Sequence, residues 1–554
     1  MPDLDHSSDP GINTPWWNTL AKSPLAPWII IGAVLAFRLI WQFVSPYTLI
    51  EDEAHYWEWS RHLDWSYYSK GPGVAWVIWL STTILGHTEF AIRIPAAIAA
   101  AIGTIAIVKL TKDHLANHLD DQRLTFVAAI LWACVPGFAV AAMIMTIDSP
   151  YIASWAWASV YAMRALLKGH HTSWLAFGFW IAIGFIFKYT ILLLIPGVLM
   201  AMLVTRNQRP RISIKHVALG LLIACTGLVP ILIWNANHDW ATVRHLLGHL
   251  GAPGGDTEQT AAYHAEPWTI LWMLEYIALQ MLVGGPIVLL SIFALLNSKK
   301  HADQPTQLVI RALVAMGLPI LGFYFLVSLV TQTEGNWAMG GFVTLIPAAA
   351  WAVLDGVGRV DHPVKFAWGA SIVIGLMILM LFPGARTLAK LPTVGPMIPL
   401  YRMTGMRDHA AHAQRVIDQL REETGLEPLV MSEHYGRASL LAFYLEGQPT
   451  VYTTSAQVGG RKTQYDMWSE TDLGDRQTLG ALLGRPGILF GGRPDQWSCA
   501  FDGLVDIGKL DGEPKDSKTT YTGLNFHTFA SWTPPEPNGA NRAIESLSVP
   551  GESP

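Results

Sequence analysis

The chain has 554 residues, of which 51% are hydrophobic and 14% are charged, and it contains 24 tryptophans. A soluble globular protein seldom combines these values, so the composition predicts a polytopic membrane protein. The net charge of -5 offers no basic surface for nucleic acid, which argues against a nucleic-acid partner. Cys134, Cys225 and Cys499 lie far apart in the sequence and indicate neither a disulfide framework nor a cysteine metal site.

Residues 1–24 are mainly polar and precede an apolar run at 25–44. This run is longer than a typical signal-peptide core and lacks a small-residue cleavage site. We therefore expect 1–24 to form a cytoplasmic tail and 25–44 to be an uncleaved membrane anchor.

A long loop at 45–89 follows the anchor and is rich in tryptophan and tyrosine. It begins with an acidic segment, Glu51 to Glu53, and contains a lysine-glycine-proline turn, Lys70 to Pro72. Its apolar piece, Val74 to Leu85, is too short to span a membrane comfortably. We expect this piece to lie along the membrane interface, where tryptophan and tyrosine are favoured.

Apolar stretches recur along the chain and predict about eleven helices that can cross ~30 Å of hydrocarbon. The region from 173 to 204 is divided at Lys188, because a single helix there would be over-long and would bury the lysine. A transmembrane domain is therefore expected over 25–384. The stretches are 25–44, 90–110, 124–143, 150–167, 173–187, 189–204, 216–235, 268–296, 308–330, 337–354 and 364–384.

Basic residues are distributed unevenly between the short loops that join these stretches. The even-numbered loops hold twelve basic residues, whereas the odd-numbered loops hold four. By the positive-inside rule the richer set faces the cytoplasm, so the N-terminus is cytoplasmic and loop 45–89 faces outward. An odd number of helices places the C-terminal region on the outer side as well. The four outer cations are Arg61, Lys70, Lys188 and Arg244.

The composition becomes polar beyond residue 385, and short strand-like runs alternate there with helical patterns. This pattern predicts a small extracytoplasmic α/β domain over 385–535. The tail at 536–554 is rich in proline, glycine and serine and is expected to be disordered. The strand-like runs are Leu429–Met431, Thr450–Tyr452 and Gly487–Phe490.

Asp52 and Glu53 are the first candidates for acid–base chemistry. Side chains of adjacent residues on a helix diverge by about 100°, so only one of the two can point at a given substrate atom. A helical loop would gather Asp52 with His55, Tyr56 and Trp59 on one face. The same residues also suit a solvated helix at the membrane interface.

Further candidates lie at the outer ends of the predicted helices. Asp148 precedes Ser149-Pro150, so it suits a helix N-cap as well as a second acid of an active site. Lys70, Lys188 and Arg244 are candidate phosphate ligands, because the positive-inside bias makes retained outer cations informative. Snorkelling to the interface explains Lys188 and Arg244 equally well.

Three polar residues, Glu275, Gln280 and Arg93, fall within apolar stretches. A lone ion at mid-bilayer costs roughly 2.5–3.5 kcal/mol on insertion scales, so we expect these residues to face the bundle interior or a cavity. His238 and Asp239 are two isolated potential metal ligands without a third partner at usable spacing. We therefore expect no metal site.

Together these residues resemble the dolichyl-phosphate-mannose protein mannosyltransferase-like glycosyltransferases of the GT-C fold. The bacterial branch that transfers aminoarabinose or galacturonic acid to lipid A is especially similar. The resemblance runs through most of residues 25–355. Its carriers are Asp52-Glu53, Lys70-Gly71-Pro72, Asp148-Ser149-Pro150, Lys188-Tyr189-Thr190, Trp234-Asn235-Ala236-Asn237-His238-Asp239-Trp240 and Asn336-Trp337.

The resemblance implies a GT-C membrane enzyme that moves a sugar from a polyprenyl-phosphate carrier to an acceptor hydroxyl. It further implies inversion at the anomeric carbon and no cofactor. Asp52 matches the catalytic base, Glu53 lies beside it, and Asp148 matches a second acid on the same face. Lys70 matches the carrier-phosphate ligand, although relatives often have lysine-proline-proline in this turn. The candidate ligands of the donor phosphate are Lys70, Lys188, Arg244 and His238.

The expected partners are the lipid-linked sugar donor, membrane lipids and an acceptor that is a lipid, a glycan or a protein. The implied location is the bacterial inner membrane, with the active site on the periplasmic side. A membrane transporter or lipid flippase is the alternative, because Glu275 and Arg93 within apolar stretches suit a mid-membrane site. The candidate acids cluster at one face, however, which favours chemistry at the membrane surface.

Overall fold

A computed structural model describes residues 21–115, 121–249, 252–256, 269–358, 361–393, 395–398, 400–510 and 519–531. The chain divides after Met403 into two compact units. The domain boundary predicted at residue 385 falls inside a helix that ends at Leu388. The tail predicted at 536–554, and most of the tail predicted at 1–24, lie outside the described residues.

The first unit contains helices joined by loops and short turns. They are α1 (Ala26–Val44), α2 (Glu51–Arg61), α3 (Gly73–Leu85), α4 (Glu89–Leu115), α5 (Asp121–Cys134), α6 (Pro136–Ala141), α7 (Asp148–Lys168), α8 (Ser173–Phe187), α9 (Leu194–Val204), α10 (Ile214–Cys225), α11 (Val229–Asn237), α12 (Ala241–His249), α13 (Ile270–Gly284), α14 (Ile287–His301), α15 (Gln304–Val327), α16 (Gly340–Val343), α17 (Leu345–Gly358) and α18 (His362–Leu388).

Each of the eleven apolar stretches predicted from the sequence overlaps at least one helix. Within the described residues, four helices are long and apolar enough to cross a membrane, or up to six if each of two bent pairs forms one span. Several of the remaining stretches form apolar helices shorter than a full span. The chain is therefore a polytopic helical membrane protein, while the expected count of eleven spans remains a prediction. The four long helices are α1, α4, α15 and α18.

Some predicted helices are interrupted in the structure. The stretch 268–296, predicted as one helix, forms α13 and α14, which meet at 86°. The break follows from the local sequence, because Gly285 adopts a positive φ of 61° and Pro286 cannot continue the hydrogen bonding of α13. By contrast, the division predicted at Lys188 is confirmed, since α8 ends at Phe187 and Lys188 is extended.

Helix α7 lies in the interior of the first unit and packs against α4 and α8. It is buried along nearly its whole length, and two of its serines donate their hydroxyl groups to carbonyls of the same helix. Ser154 donates to the Pro150 carbonyl at 2.8 Å, and Ser159 donates to the Trp155 carbonyl at 2.8 Å. Because these hydroxyl groups are hydrogen-bonded within the helix, the helix can be buried among apolar neighbours. Asp148, its first residue, is therefore held at the end of a well-packed helix.

The second unit contains a mixed five-stranded sheet with helices around it. The strand order is β2-β1-β3-β5-β4, with β1 to β3 parallel and β5 antiparallel to both of its neighbours. Two strand-like runs predicted from the sequence coincide with β1 and β3. The elements are α19 (Met406–Thr424), β1 (Leu429–Ser432), α20 (Tyr435–Tyr444), β2 (Tyr452–Thr453), α21 (Arg476–Leu482), β3 (Gly487–Phe490), α22 (Pro494–Ser498), β4 (Asp502–Gly508) and β5 (Thr520–Leu524).

A hydrophobic core stabilises this sheet on the side of α22. Met431 and Leu489, from two parallel strands, pack in one buried cluster with Trp497, Phe501 and Phe526. Removing such large side chains from water is the dominant favourable term for a unit of this size. The extracytoplasmic position of the unit remains a prediction from the loop charges.

Candidate active site

Asp52 and Glu53 occupy the first turn of α2, and their environments differ sharply. The Asp52 side chain is exposed, whereas Glu53 is fully buried. This difference follows from the helical rotation of about 100° between neighbours. Among the described residues, the Asp52 carboxylate has no hydrogen-bond partner. Asp52 is therefore the acid of this pair that is open to a substrate.

Glu53 forms a buried, bidentate ion pair with Arg93 of α4. Arg93 donates from Nε to Oε1 at 2.8 Å and from Nη2 to Oε2 at 2.7 Å. The backbone N–H of Met145 donates to Oε1 at 2.9 Å, and that of Ile50 donates to Oε2 at 3.1 Å. A carboxylate has about four acceptor positions, so the capacity of Glu53 is fully used within the protein.

The same arginine also holds the chain that enters α2. Arg93 donates to the carbonyl oxygens of Tyr47 at 3.2 Å and Thr48 at 2.8 Å. The positive charge of Arg93, which lies in the apolar stretch 90–110, is thus neutralised inside the protein. The network joins the start of α2 to α4 and to the segment before α7, which positions Asp52 relative to Asp148.

Asp148 begins α7 and binds two groups from distant parts of the chain. Its Oδ1 accepts from Lys188 Nζ at 2.8 Å, and its Oδ2 accepts from Asn336 Nδ2 at 2.9 Å. Lys188 also donates to the Asn336 carbonyl at 3.1 Å and lies 5.4 Å from the centre of the Tyr151 ring. Three motifs that carry the family resemblance therefore meet at one point.

Lys70 lies in a turn whose backbone is held in place. The Lys70 carbonyl accepts from the Tyr67 N–H at 3.0 Å and from Ser66 Oγ at 3.2 Å. The next residue, Gly71, sits against the end of α8, where a Cβ atom would overlap the carbonyl of Ile186. This close approach explains why the turn has glycine in the middle position.

The electrostatic environment of Asp52 links these groups. Although water reaches its side chain, the surrounding protein displaces much of its hydration and raises the pKa of Asp52. The Lys70 ammonium lowers this pKa, while the carboxylates of Glu51, Asp148 and Glu53 raise it further. Such charge interactions weaken with distance and are largely screened beyond about 10 Å, so Lys70 and Asp148 belong to the electrostatic neighbourhood of Asp52.

Arg402 also belongs to this neighbourhood, and the sequence reasoning missed it. Its hydrogen bond to Tyr401 raises the pKa of Arg402, and the carboxylates of Glu51 and Asp52 add to the shift. Arg402 lies 18 residues after the end of the last apolar stretch, 364–384, and belongs to no motif. The sequence offered one indication that Arg402 could join the site, namely that it lies on the same predicted outer side as Asp52.

The remaining predicted phosphate ligands lie on the segment from Trp234 to Arg244. Trp234 donates to Asp64 Oδ2 at 2.7 Å and stacks on His238 with 4.0 Å between the ring centroids. His238 Nδ1 bonds the Trp234 carbonyl at 2.8 Å, which leaves Nε2 of the ring available. These contacts attach His238 to the loop that contains Lys70.

Arg244 stands apart from the acids described above. It forms an exposed ion pair with Asp239, with an Nη1 to Oδ2 distance of 2.7 Å. Within the described part of the chain, its side chain has no contact with Asp52 or Asp148. Asp239 and Trp240 both adopt positive φ, at 51° and 57°, a conformation that is uncommon for non-glycine residues.

The other polar residues of the apolar stretches bond to neighbouring segments, although the buried side-chain oxygen of Gln280 has no hydrogen-bond partner among the described residues. The side-chain amide of Gln332 bonds both oxygens of Glu275, at 3.0 and 2.9 Å, and Gln280 donates to the Gly335 carbonyl at 3.3 Å. Among the described residues, no group of three His, Cys, Asp or Glu side chains is placed to hold a metal ion.

Comparison with known proteins identifies similar sequences. Residues 69–234 match the family model described as dolichyl-phosphate-mannose-protein mannosyltransferase. Over 334 residues the chain is 24% identical to the lipid A galacturonosyltransferase RgtD of Rhizobium johnstonii. The matched region covers 59% of this chain. That match spans 66% of the relative, just under two thirds of its length.

Solved structures share the fold of the chain. ArnT from Cupriavidus metallidurans in the apo state matches with a TM-score of 0.59 and 12% identity, over 90% of this chain and 98% of ArnT. ArnT bound to undecaprenyl phosphate matches with a TM-score of 0.59 and 13% identity, over 92% and 100% of the two chains. The resemblance predicted from the sequence motifs is therefore confirmed: the chain is a membrane protein that shares the GT-C fold of these structures, and its residues 69–234 are similar to the dolichyl-phosphate-mannose-protein mannosyltransferase family.

Proposed function

We propose that the protein is an integral membrane glycosyltransferase that moves a sugar from a polyprenyl-phosphate carrier to an acceptor hydroxyl. The observation that carries this proposal is the free carboxylate of Asp52 beside Lys70 and the Asp148–Lys188 pair. One relative acts on lipid A by its name, and ArnT binds undecaprenyl phosphate in one structure. A lipid acceptor is accordingly favoured over a protein or another glycan.

Asp52 is the general base of the proposed reaction. Its carboxylate takes the proton from the acceptor hydroxyl as the oxygen attacks the anomeric carbon. The new carbon–oxygen bond forms as the bond between that carbon and the carrier phosphate breaks, with inversion. A raised pKa makes Asp52 a stronger base than an ordinary aspartate, and a general base typically contributes ~10²–10⁴-fold.

Cations stabilise the charge that develops on the departing phosphate. Lys70 supplies a charge close to Asp52. Lys188 has three N–H donors, of which two bind Asp148 and Asn336, so one remains for a phosphate oxygen. Asp148 orients Lys188 in this scheme. His238 and Arg244 lie on the segment attached to the Lys70 loop and extend the proposed donor site.

We assign Glu53 a positioning role. All its acceptor positions are occupied by Arg93 and two backbone N–H groups. It could take a proton only by breaking this buried network. The pairing also weakens the transporter or flippase alternative, because Arg93 is neutralised beside the outer loop. The bend between α13 and α14 still fits a transporter, because transporters often contain discontinuous helices.

The donor site is tested by binding of undecaprenyl phosphate to the purified full-length protein, measured as a shift in the unfolding midpoint. Lys70→Met should weaken binding at least about tenfold, because it removes a charge-assisted hydrogen bond to the phosphate. The exposed Arg415→Gln variant is the control and should bind like the wild type. Full binding by Lys70→Met would contradict the proposed site.

A further inference from the structure

A pocket of about 280 Å³ opens within the second unit, where the parallel strands β1 and β3 begin. Its walls come from α19, from the residues before β1 and β2, and from Arg485 ahead of β3. The volume lies just below the roughly 300–1,000 Å³ found for small-molecule sites. It therefore suits a ligand of the size of one or two sugar rings.

The charged groups of this pocket balance one another. Arg421 binds Glu427 through two bonds of 2.6 and 2.8 Å, and it also bonds Asp418 at 2.6 Å. Arg485 donates from Nε to the Glu427 carbonyl at 2.9 Å. The charged lining residues are two arginines and two glutamates, the second being Glu446. A phosphate or nucleotide would meet no net positive charge here.

Several polar groups of the lining are available to a ligand. Among the described residues, the Glu446 carboxylate, the Thr450 and Tyr452 hydroxyls and the two terminal nitrogens of Arg485 have no partner. Tyr452 is only 9% exposed as a whole, so most of its side chain is fixed in the wall of the pocket. The set combines strong donors, a strong acceptor and hydroxyl groups that do both.

Apolar surface lies between these polar groups. The ring of Tyr452 and the side chains of Pro428 and Pro449 line the same pocket. A pyranose ring presents hydroxyl groups around its edge and C–H groups on its faces. Such a ligand can satisfy the free donors and acceptors while it packs on the aromatic ring.

We propose that this pocket binds a neutral saccharide unit. Only the source of the sugar rests on the proposed function: if the protein is a glycosyltransferase, the bound sugar is part of the acceptor's glycan. In that case the second unit captures the acceptor independently of the chemistry at Asp52. Binding of the sugar itself follows from the composition of the pocket.

Saturation-transfer NMR of the full-length protein in lipid nanodiscs tests the proposal, with methyl β-D-glucopyranoside, N,N′-diacetylchitobiose and inorganic phosphate as probes. We expect saccharide binding without competition by phosphate. The double variant Glu446→Gln with Thr450→Val should weaken that binding at least about tenfold. Both positions are exposed, so the fold should persist, and Tyr452→Phe should act in the same direction.

Two controls separate this site from the catalytic one. Glu423→Gln changes an exposed acid of α19 that does not line the pocket, and it should leave binding unchanged. Asp52→Asn, which we expect to lose transfer, should bind the saccharide like the wild type. Absence of saccharide binding, equal binding by the double variant, or displacement by phosphate would each overturn the proposal.

Discussion

At the residue scale, the two adjacent acids of α2 divide into different roles because of the helix rotation between them. Asp52 faces outward with a free carboxylate, whereas Glu53 is enclosed by Arg93 and backbone donors. The sequence predicted that only one acid could face a substrate. It could not identify the partner of Glu53, because Arg93 lies forty residues further along the chain.

The raised pKa of Asp52 has a consequence for the pH dependence of transfer. A base is active when ionised, so kcat/KM should fall on the acid side around a pKa above the ordinary aspartate value of about 3.9. Lys70 favours the ionised form, and its removal in Lys70→Met should move this limb to higher pH. The measurement is a pH profile of kcat/KM, with Arg415→Gln as control. An unmoved acid limb in Lys70→Met would contradict the coupling.

The ion pair between Glu53 and Arg93 predicts a loss of stability. Glu53→Gln leaves a buried arginine without its counter-charge, which typically costs about 3–5 kcal/mol. The unfolding midpoint should therefore fall well below that of Glu51→Gln, which changes the exposed neighbouring acid. The double variant Glu53→Gln with Arg93→Met should recover part of the loss. A stable but inactive Glu53→Gln protein would instead assign Glu53 to the chemistry.

At the scale of elements, apolar runs predicted where helices form, because burial in lipid or in the bundle requires such runs. They could not predict how the helices break or meet. The bend between α13 and α14 depends on the conformation of Gly285, and the Asp148 site depends on Asn336, which is 188 residues away. Local composition can predict that a residue is buried, but it cannot identify the distant residue that the buried side chain contacts.

The turn that carries Lys70 depends on the contact between Gly71 and the end of α8. Gly71→Ala introduces a Cβ that overlaps the Ile186 carbonyl, so the turn must move. A displacement of about 1 Å at a reacting group can cost on the order of 10²-fold in rate. Turnover should fall by about that factor while Gly32→Ala, in open space on α1, keeps wild-type turnover. Wild-type turnover by Gly71→Ala would contradict the constraint on this turn.

At the scale of the whole molecule, the chain combines a helical membrane unit with a second unit that contains a mixed sheet. The composition change near residue 385 indicated this division, although the compact unit begins after Met403. The family motifs predicted Asp52, Lys70, Asp148 and Lys188 as site residues, because chemistry constrains short segments of sequence. Arg402 and the pocket of the second unit belong to no motif, so only the folded chain revealed them.

In the proposed reaction the protein moves a sugar from a polyprenyl-phosphate carrier to an acceptor, with Asp52 as the general base. Mass spectrometry of polyprenyl-phosphate lipids tests it most directly, in host cells that express equal amounts of the wild type, Asp52→Asn or Arg415→Gln. We predict that a sugar-charged carrier accumulates in the Asp52→Asn cells alone, and its mass identifies the sugar. An unchanged carrier profile in Asp52→Asn cells, with the protein folded at wild-type levels, would contradict the assignment of Asp52 as the base for this transfer.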